Sequence, residues 1–185
     1  ALIAQHEEKS FLSWMRQTNQ IFTGDEYQFR LGIFLSNQQR VQQFNSRNDK
    51  TFTVGINKFA CLTESEYKSL LGHKPRLALR NKVIQRITKK AEESVDWRTK
   101  GIVNAVKDQG QCGSCWAFGT VQACESAYAL ATGTLNVCSE QNLVDCVTGC
   151  AGCSGGLESA ALDYILSKQD GYLMADEDYP YKAYE

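Results

Sequence analysis

The sequence has no run of 18 or more apolar residues, so no segment is expected to cross a membrane as a helix. It has no visible internal repeat and no initiator Met; Ala1-Leu-Ile-Ala4 ahead of a polar stretch reads as the remnant of a cleaved or truncated secretion signal. Its 43% hydrophobic and 22% charged residues lack the bias of a disordered tail or a collagen-like rod. Acidic residues are scarce in one half and basic residues in the other. Residues 1–90 hold 7 Asp/Glu against 15 Lys/Arg, and residues 91–185 hold 5 Lys/Arg against 14 Asp/Glu, giving +8 and −9 within a net charge of −1. An intramolecular partner therefore accounts for the cationic half more simply than a nucleic acid or a membrane surface does, and neither is expected to bind. Histidine is nearly absent: His6 and His73 are the only two, both read as surface or linker residues.

What is present is organised in two parts. Phe11, Leu12, Trp14 and Met15 recur at helical spacing over residues 5–20, and Tyr27, Leu31, Phe34, Val41 and Phe44 over 25–47. Thr51–Asn57 alternates like a short strand, and Thr63 with Glu66 forms a capping-box signal for a third helix ending at Gly72. Residues 76–90 carry six basic residues, no acidic residue and no aromatic for base stacking, the mark of an exposed linker open to a processing protease. Helices are then expected from Cys115 to Ala131 ending at Gly133, from a Ser139 cap through Cys146, and after Gly155 and Gly156 through about Ser167. The expected domains are residues 1–75, a linker over 76–90, and 91–185.

Seven of the eight cysteines fall between Cys112 and Cys153, a density typical of an oxidising compartment. Cys112, Cys115, Cys146, Cys150 and Cys153 also admit a zinc-ligand reading, and spacing alone does not separate the two. The most informative stretch is Gln109-Gly-Gln-Cys112-Gly-Ser-Cys115-Trp116-Ala-Phe118. A Cys in the first turn of a helix faces unpaired N–H groups and the positive end of the dipole, which favour the nucleophilic thiolate. A Gln a few residues upstream can aim its amide at a developing oxyanion. A buried structural Cys is the bland alternative.

These residues resemble the papain family of cysteine proteases, whose Cys-Gly-Ser/Ala-Cys-Trp/Tyr signature they carry. Val95-Asp-Trp-Arg98, Ser139–Cys146, Gly152–Gly156 and Tyr179-Pro-Tyr181 resemble further blocks of that family, in order. The resemblance implies that Cys115 is the nucleophile and that Gln109 forms the oxyanion hole with the Cys115 N–H. It pairs Cys112 with Cys153 and puts Gly113, Gly155 and Gly156 along the substrate cleft. Trp116 packs behind the nucleophile, and Leu157 stands near a pocket for an apolar substrate side chain. Glu26, Arg30, Phe34, Asn37, Val41 and Asn45 resemble the ERFNIN motif of a cathepsin L-like inhibitory propeptide, Val41 replacing the usual Ile. Gly55, Asn57 and Phe59 resemble its GNFD motif, with Cys61 in place of Asp. Glu26 and Arg30 are expected to form an i,i+4 ion pair worth a few tenths of a kcal/mol.

The implied fold is α+β, here mostly α: a helical inhibitory propeptide followed by the helical lobe of a papain-like fold, with most of the second, β-barrel-like lobe missing. The implied activity is that of a secreted or lysosomal or vacuolar cysteine endopeptidase precursor. It is a monomer without cofactor or metal, acting on proteins or peptides and inhibited by its own propeptide. The family's catalytic His and Asn follow the nucleophile by ~130–150 residues, whereas 70 residues follow Cys115 here, so the chain is expected to be truncated before them and inactive alone. Two competing readings, an inhibitor acting in trans through residues 1–72 and a zinc module, leave Cys115 and Gln109 or the propeptide-like half without a role.

Overall fold

The computed structural model describes residues 5–73 and 92–185; the basic linker and the first four residues lie outside them. The chain divides into two compact units, Ala1–Lys68 and Ser69–Glu185. The described residues are mostly helical, as the sequence implies.

In the first unit, α1 (Gln5–Gln17) packs on α2 (Gly24–Asn45). The core is aromatic: Phe11, Trp14, Met15, Leu31 and Phe34 are buried with Ala60 and Cys61. The Phe11 ring lies 5.7 Å from Trp14 and 5.2 Å from Phe34. Burying each such side chain contributes roughly 1.5–3 kcal/mol, so this cluster outweighs any surface ion pair of the unit. Thr51–Asn57 is not a strand. The segment has no neighbouring strand among the described residues, and side-chain amides of α2 satisfy part of its backbone instead. Asn45 Nδ2 donates to Val54 O at 2.7 Å while Val54 N donates to Asn45 Oδ1 at 3.0 Å. Asn37 Nδ2 donates to Ala60 O at 2.9 Å, and Trp14 Nε1 to Asn57 O at 2.9 Å. Asn57 in turn accepts from Phe59 N through its own Oδ1 at 3.0 Å.

The capping box forms: Thr63 N donates to Glu66 Oε2 at 2.7 Å and Glu66 N to Thr63 Oγ1 at 3.2 Å. The helix it opens, α3 (Glu64–Ser69), stops three residues short of the expected Gly72. The expected Glu26–Arg30 pair is present only at 3.5 Å. The guanidinium is committed instead to Glu66, with Nη1 and Nη2 at 2.6 and 2.7 Å from its two carboxylate oxygens. This bidentate geometry and the Thr63 N–H lower the Glu66 carboxyl from its ordinary 4.5 to about 2. A carboxyl depressed on folding contributes stability above its unfolded value and loses it as pH falls through the folded one. Discounted for a side chain 39% exposed, the contribution is about 1–2 kcal/mol, lost between roughly pH 4.5 and pH 2. Acid titration of folding should therefore be shallower over that window in Glu66→Gln. Superimposable profiles would contradict the assignment.

The second unit is built on α4 (Cys115–Thr132), against which α5 (Glu140–Cys146) and α6 (Glu158–Lys168) pack. Trp116, Val121, Leu143, Val144, Ala161 and Ile165 form its buried core. Gly133, in the left-handed region, ends α4, and the Ser139 side chain caps α5 by accepting from Asn142 N at 3.0 Å. Beneath these helices Lys107 Nζ reaches Glu140 Oε1 at 2.5 Å and Glu125 Oε1 at 3.3 Å. The sheet-like pairings among the described residues are two isolated bridges, Cys138 with Ala175 and His73 with Gly156.

Candidate active site

Cys115 opens α4 and is a free, half-buried thiol. The residue ahead of it, Ser114, is fully buried, and its backbone carbonyl accepts from Ala117 N at 2.8 Å. Its hydroxyl is 2.6 Å from Tyr181 Oη. The same phenol donates to the Gln109 backbone carbonyl at 2.8 Å, so one ring fixes the approach to Cys115 and the loop segment bearing Gln109. Burial pushes the Tyr181 phenol up, which keeps it the neutral donor this role requires. The sequence marks Tyr181 only as part of a family block; a contact with residue 109 leaves no local signal.

The Gln109 amide is fixed as well. Its Nε2 donates to Cys112 O at 2.8 Å and to Leu70 O at 2.9 Å. One of its two N–H groups thus holds the loop, and the other already holds a peptide carbonyl. A disulfide joins Cys112 to Cys153 across 41 residues, which stabilises the unit by about 4 kcal/mol in the chain-entropy description. It also removes two sulfurs from the five-cysteine zinc reading. No group of three or more His, Cys, Asp or Glu suited to hold a metal occurs among the described residues.

The disulfide brings Gly113 against the loop around Cys153, where Gly113 N donates to Cys153 O at 2.8 Å. Trp116 lies fully buried behind, its indole N–H donating to Gly152 O at 3.1 Å. Gly156 is required there: a Cβ would fall 2.6 Å from the Trp116 ring and 2.7 Å from Cys150 Sγ. Gly155 turns the chain at φ 113°, in a region that L side chains rarely adopt. Leu157 follows half-buried at the N-cap of α6, its N–H 3.4 Å from Cys150 Sγ. Gln109, Gly113, Cys115, Gly156 and Leu157 thus all belong to this unit, as do Cys124, Cys138, Cys146 and Cys150, which are free. Burial pushes the Cys124 and Cys138 thiols up.

Residues 69–73, assigned to the first domain by sequence, pack with this second unit. Besides the Leu70 contact, Gly72 O accepts from Gly156 N at 2.8 Å. His73, read from sequence as surface or linker, is half-exposed and has its Nδ1 3.3 Å from Glu158 Oε2. The chain's own backbone between Leu70 and His73 therefore lies along Gln109 and Gly156.

A free thiol in the first turn of a helix, three residues after a loop carbonyl that a side-chain amide holds together with a peptide carbonyl, brings two groups of thiol-dependent acyl chemistry into one unit. The chain belongs to the papain family of cysteine proteases: the model of that family matches residues 91–185, and the cathepsin propeptide inhibitor domain (I29) matches residues 11–67. Among curated proteins it is 38% identical to cysteine proteinase 5 of Dictyostelium discoideum over 177 residues, 94% of this chain and 51% of that one. It is 39% identical to pro-cathepsin H of Mus musculus over 180 residues, 95% of this chain and 53% of that one. A solved recombinant stem bromelain precursor superposes with a TM-score of 0.86 at 33% identity, covering 98% of this chain and 59% of the bromelain chain. Digestive procathepsin L 3 of Tenebrio molitor larval midgut gives 0.83 at 32% identity, with 98% and 60% coverage. The chain spans about half the length of the curated relatives it matches.

Proposed function

We propose that this chain carries the inhibitory propeptide and the nucleophile-bearing lobe of a cysteine endopeptidase precursor, with the peptidase activity belonging to a longer protein. The observation that carries the reading is the Gln109 amide, locked by Cys112 O in the loop that leads into Cys115 and donating to the Leu70 carbonyl. That amide holds a peptide carbonyl now and would hold the oxyanion of a substrate carbonyl once Cys115 Sγ attacks. The thiolate adds to the carbonyl carbon, the Gln109 Nε2–H and Cys115 N–H take the developing charge, and collapse expels the amine to leave a thioester that water cleaves. A base and acid must move the protons, and the family resemblance assigns that work to an imidazole oriented by an Asn. His6 and His73 have no such context, and the His73 imidazole lies on Glu158. The 185 residues alone are therefore expected to show no appreciable turnover. The residues proposed to line the cleft are Gly113, Gly155, Gly156 and Leu157, and the first domain is proposed to inhibit in cis. The disulfide supports a secreted, lysosomal or vacuolar location.

In the processed enzyme, Gln109→Ala should lower kcat by about 10²–10³ with little change in KM, since the donor acts on charge that develops only in the transition state. A variant with unchanged kcat would remove Gln109 from the oxyanion hole.

A further inference from the structure

Glu158 is the first residue of α6, and neither the core nor the chemistry above uses it. Its carboxylate and the His73 imidazole are 3.3 Å apart, with the two side chains 41% and 54% exposed. Their contact is thus an open one at the surface of the unit, not a buried structural pair. The backbone of the same stretch is engaged at the same point: His73 forms a parallel bridge with Gly156, and Gly156 N donates to Gly72 O at 2.8 Å. The chain is held there by its main chain at Gly156 and by a basic side chain at Glu158, two residues further on.

We propose that Gly156 and Glu158 form a subsite selecting a cationic side chain on an extended peptide, with His73 as its present occupant; this rests on the reading of the chain as a peptidase precursor. Main-chain pairing to a glycine does not distinguish one peptide from another, so discrimination falls to the side chains flanking it. A carboxylate there attracts Arg, Lys and protonated His, repels Asp and Glu, and leaves an apolar residue indifferent to its charge. A guanidinium adds a bidentate geometry that imidazole cannot match, while the aliphatic stems of Arg and Lys can lie along apolar surface. Because the carboxylate is substantially exposed, the discrimination is modest, about two- to tenfold between Arg and an apolar side chain.

The 185-residue chain itself supplies the test, since the occupant is part of it. Exchange of the Gly156 amide hydrogen reports how often residues 69–73 leave the site. Substituting His73→Arg, His73→Lys, His73→Leu and His73→Glu should rank protection in that order, Arg exceeding Leu by about two- to tenfold and Glu falling below Leu. In a Glu158→Gln background the order should flatten, and in Glu158→Lys it should reverse, with His73→Glu the best protected. Exchange at a core amide such as that of Leu143 checks that each variant is folded. Equal protection by His73→Leu and His73→Arg, or a ranking that persists in Glu158→Gln, would overturn the subsite. Absence of turnover in the processed protein would instead count against the peptidase reading and leave this ranking standing.

Discussion

Lys107→Met is expected to destabilise the second unit by about 3–5 kcal/mol at neutral pH. Lys107 is shared by two carboxylates: Glu140 at 2.5 Å and Glu125 at 3.3 Å, whose side chains are 2% and 0% exposed. Asn104 Nδ2 and Cys138 N also donate to Glu125, at 2.9 and 2.7 Å. Burial alone would lower the Lys107 ammonium, but the two carboxylates outweigh it and raise it, so the residue stays charged. Glu140 is raised because burial exceeds what one shared cation returns. Methionine fills a similar volume but leaves two buried carboxylates facing each other without a cation. The remedy open to the variant is protonation. A carboxyl raised on folding favours the folded state increasingly as pH falls, so the penalty should shrink from pH 7 towards pH 5, and Lys107→Met with Glu140→Gln should recover part of it. Chemical denaturation at the two pH values measures this. A penalty below ~1 kcal/mol at pH 7 would mean that the cluster is well solvated.

Gly72→Ala should release residues 69–73 from Gln109, Gly156 and Glu158 while leaving global stability nearly unchanged. A Cβ at position 72 would run into the Gly113 carbonyl, a backbone group that cannot rotate away. Gly113 is held from both sides, by its hydrogen bond to Cys153 O at 2.8 Å and by the neighbouring Cys112–Cys153 disulfide. The segment must therefore yield, giving up the Leu70 contact with Gln109, the Gly72 contact with Gly156 and the His73 contact with Glu158. Protection of the Gly156 amide should drop at least ~10-fold, the equivalent of losing about one net hydrogen bond. Unchanged protection would show that the contact with Gly113 admits a side chain at position 72.

The helices were legible wherever the determining signal is local. Ser139 and Gly133 mark the start of α5 and the end of α4 by capping chemistry, and Thr63 with Glu66 announces α3. The end of α3 was not legible, because the partners of Leu70 and Gly72 are Gln109 and Gly156, far away in sequence. The motif residues Asn37 and Asn45 were recognisable by type and spacing, yet their work lies in carbonyls 23 and 9 residues downstream. That also explains the missing strand at Thr51–Asn57: an alternating pattern shows that a segment is extended, and does not say what satisfies its backbone. Arg30 illustrates the limit for charges. Glu26 is the i−4 neighbour, but Glu66, 36 residues on, takes the bidentate geometry. At the site, Cys115 and Gln109 stood out because their chemistry is written into one short motif, whereas Tyr181 and Glu158 matter only through contacts with distant residues.

Cys115 is proposed as the nucleophile of a peptidase, and its reactivity can be measured directly. The direct measurement is to react the processed form of the proposed precursor with an electrophilic peptide such as a peptidyl vinyl sulfone, and map the adduct by mass spectrometry. The expected result is stoichiometric label on Cys115, none on Cys124, Cys138, Cys146 or Cys150, and a loss of turnover of about 10⁴ or more in Cys115→Ser. Label on another cysteine, or turnover that persists in Cys115→Ser, would contradict it.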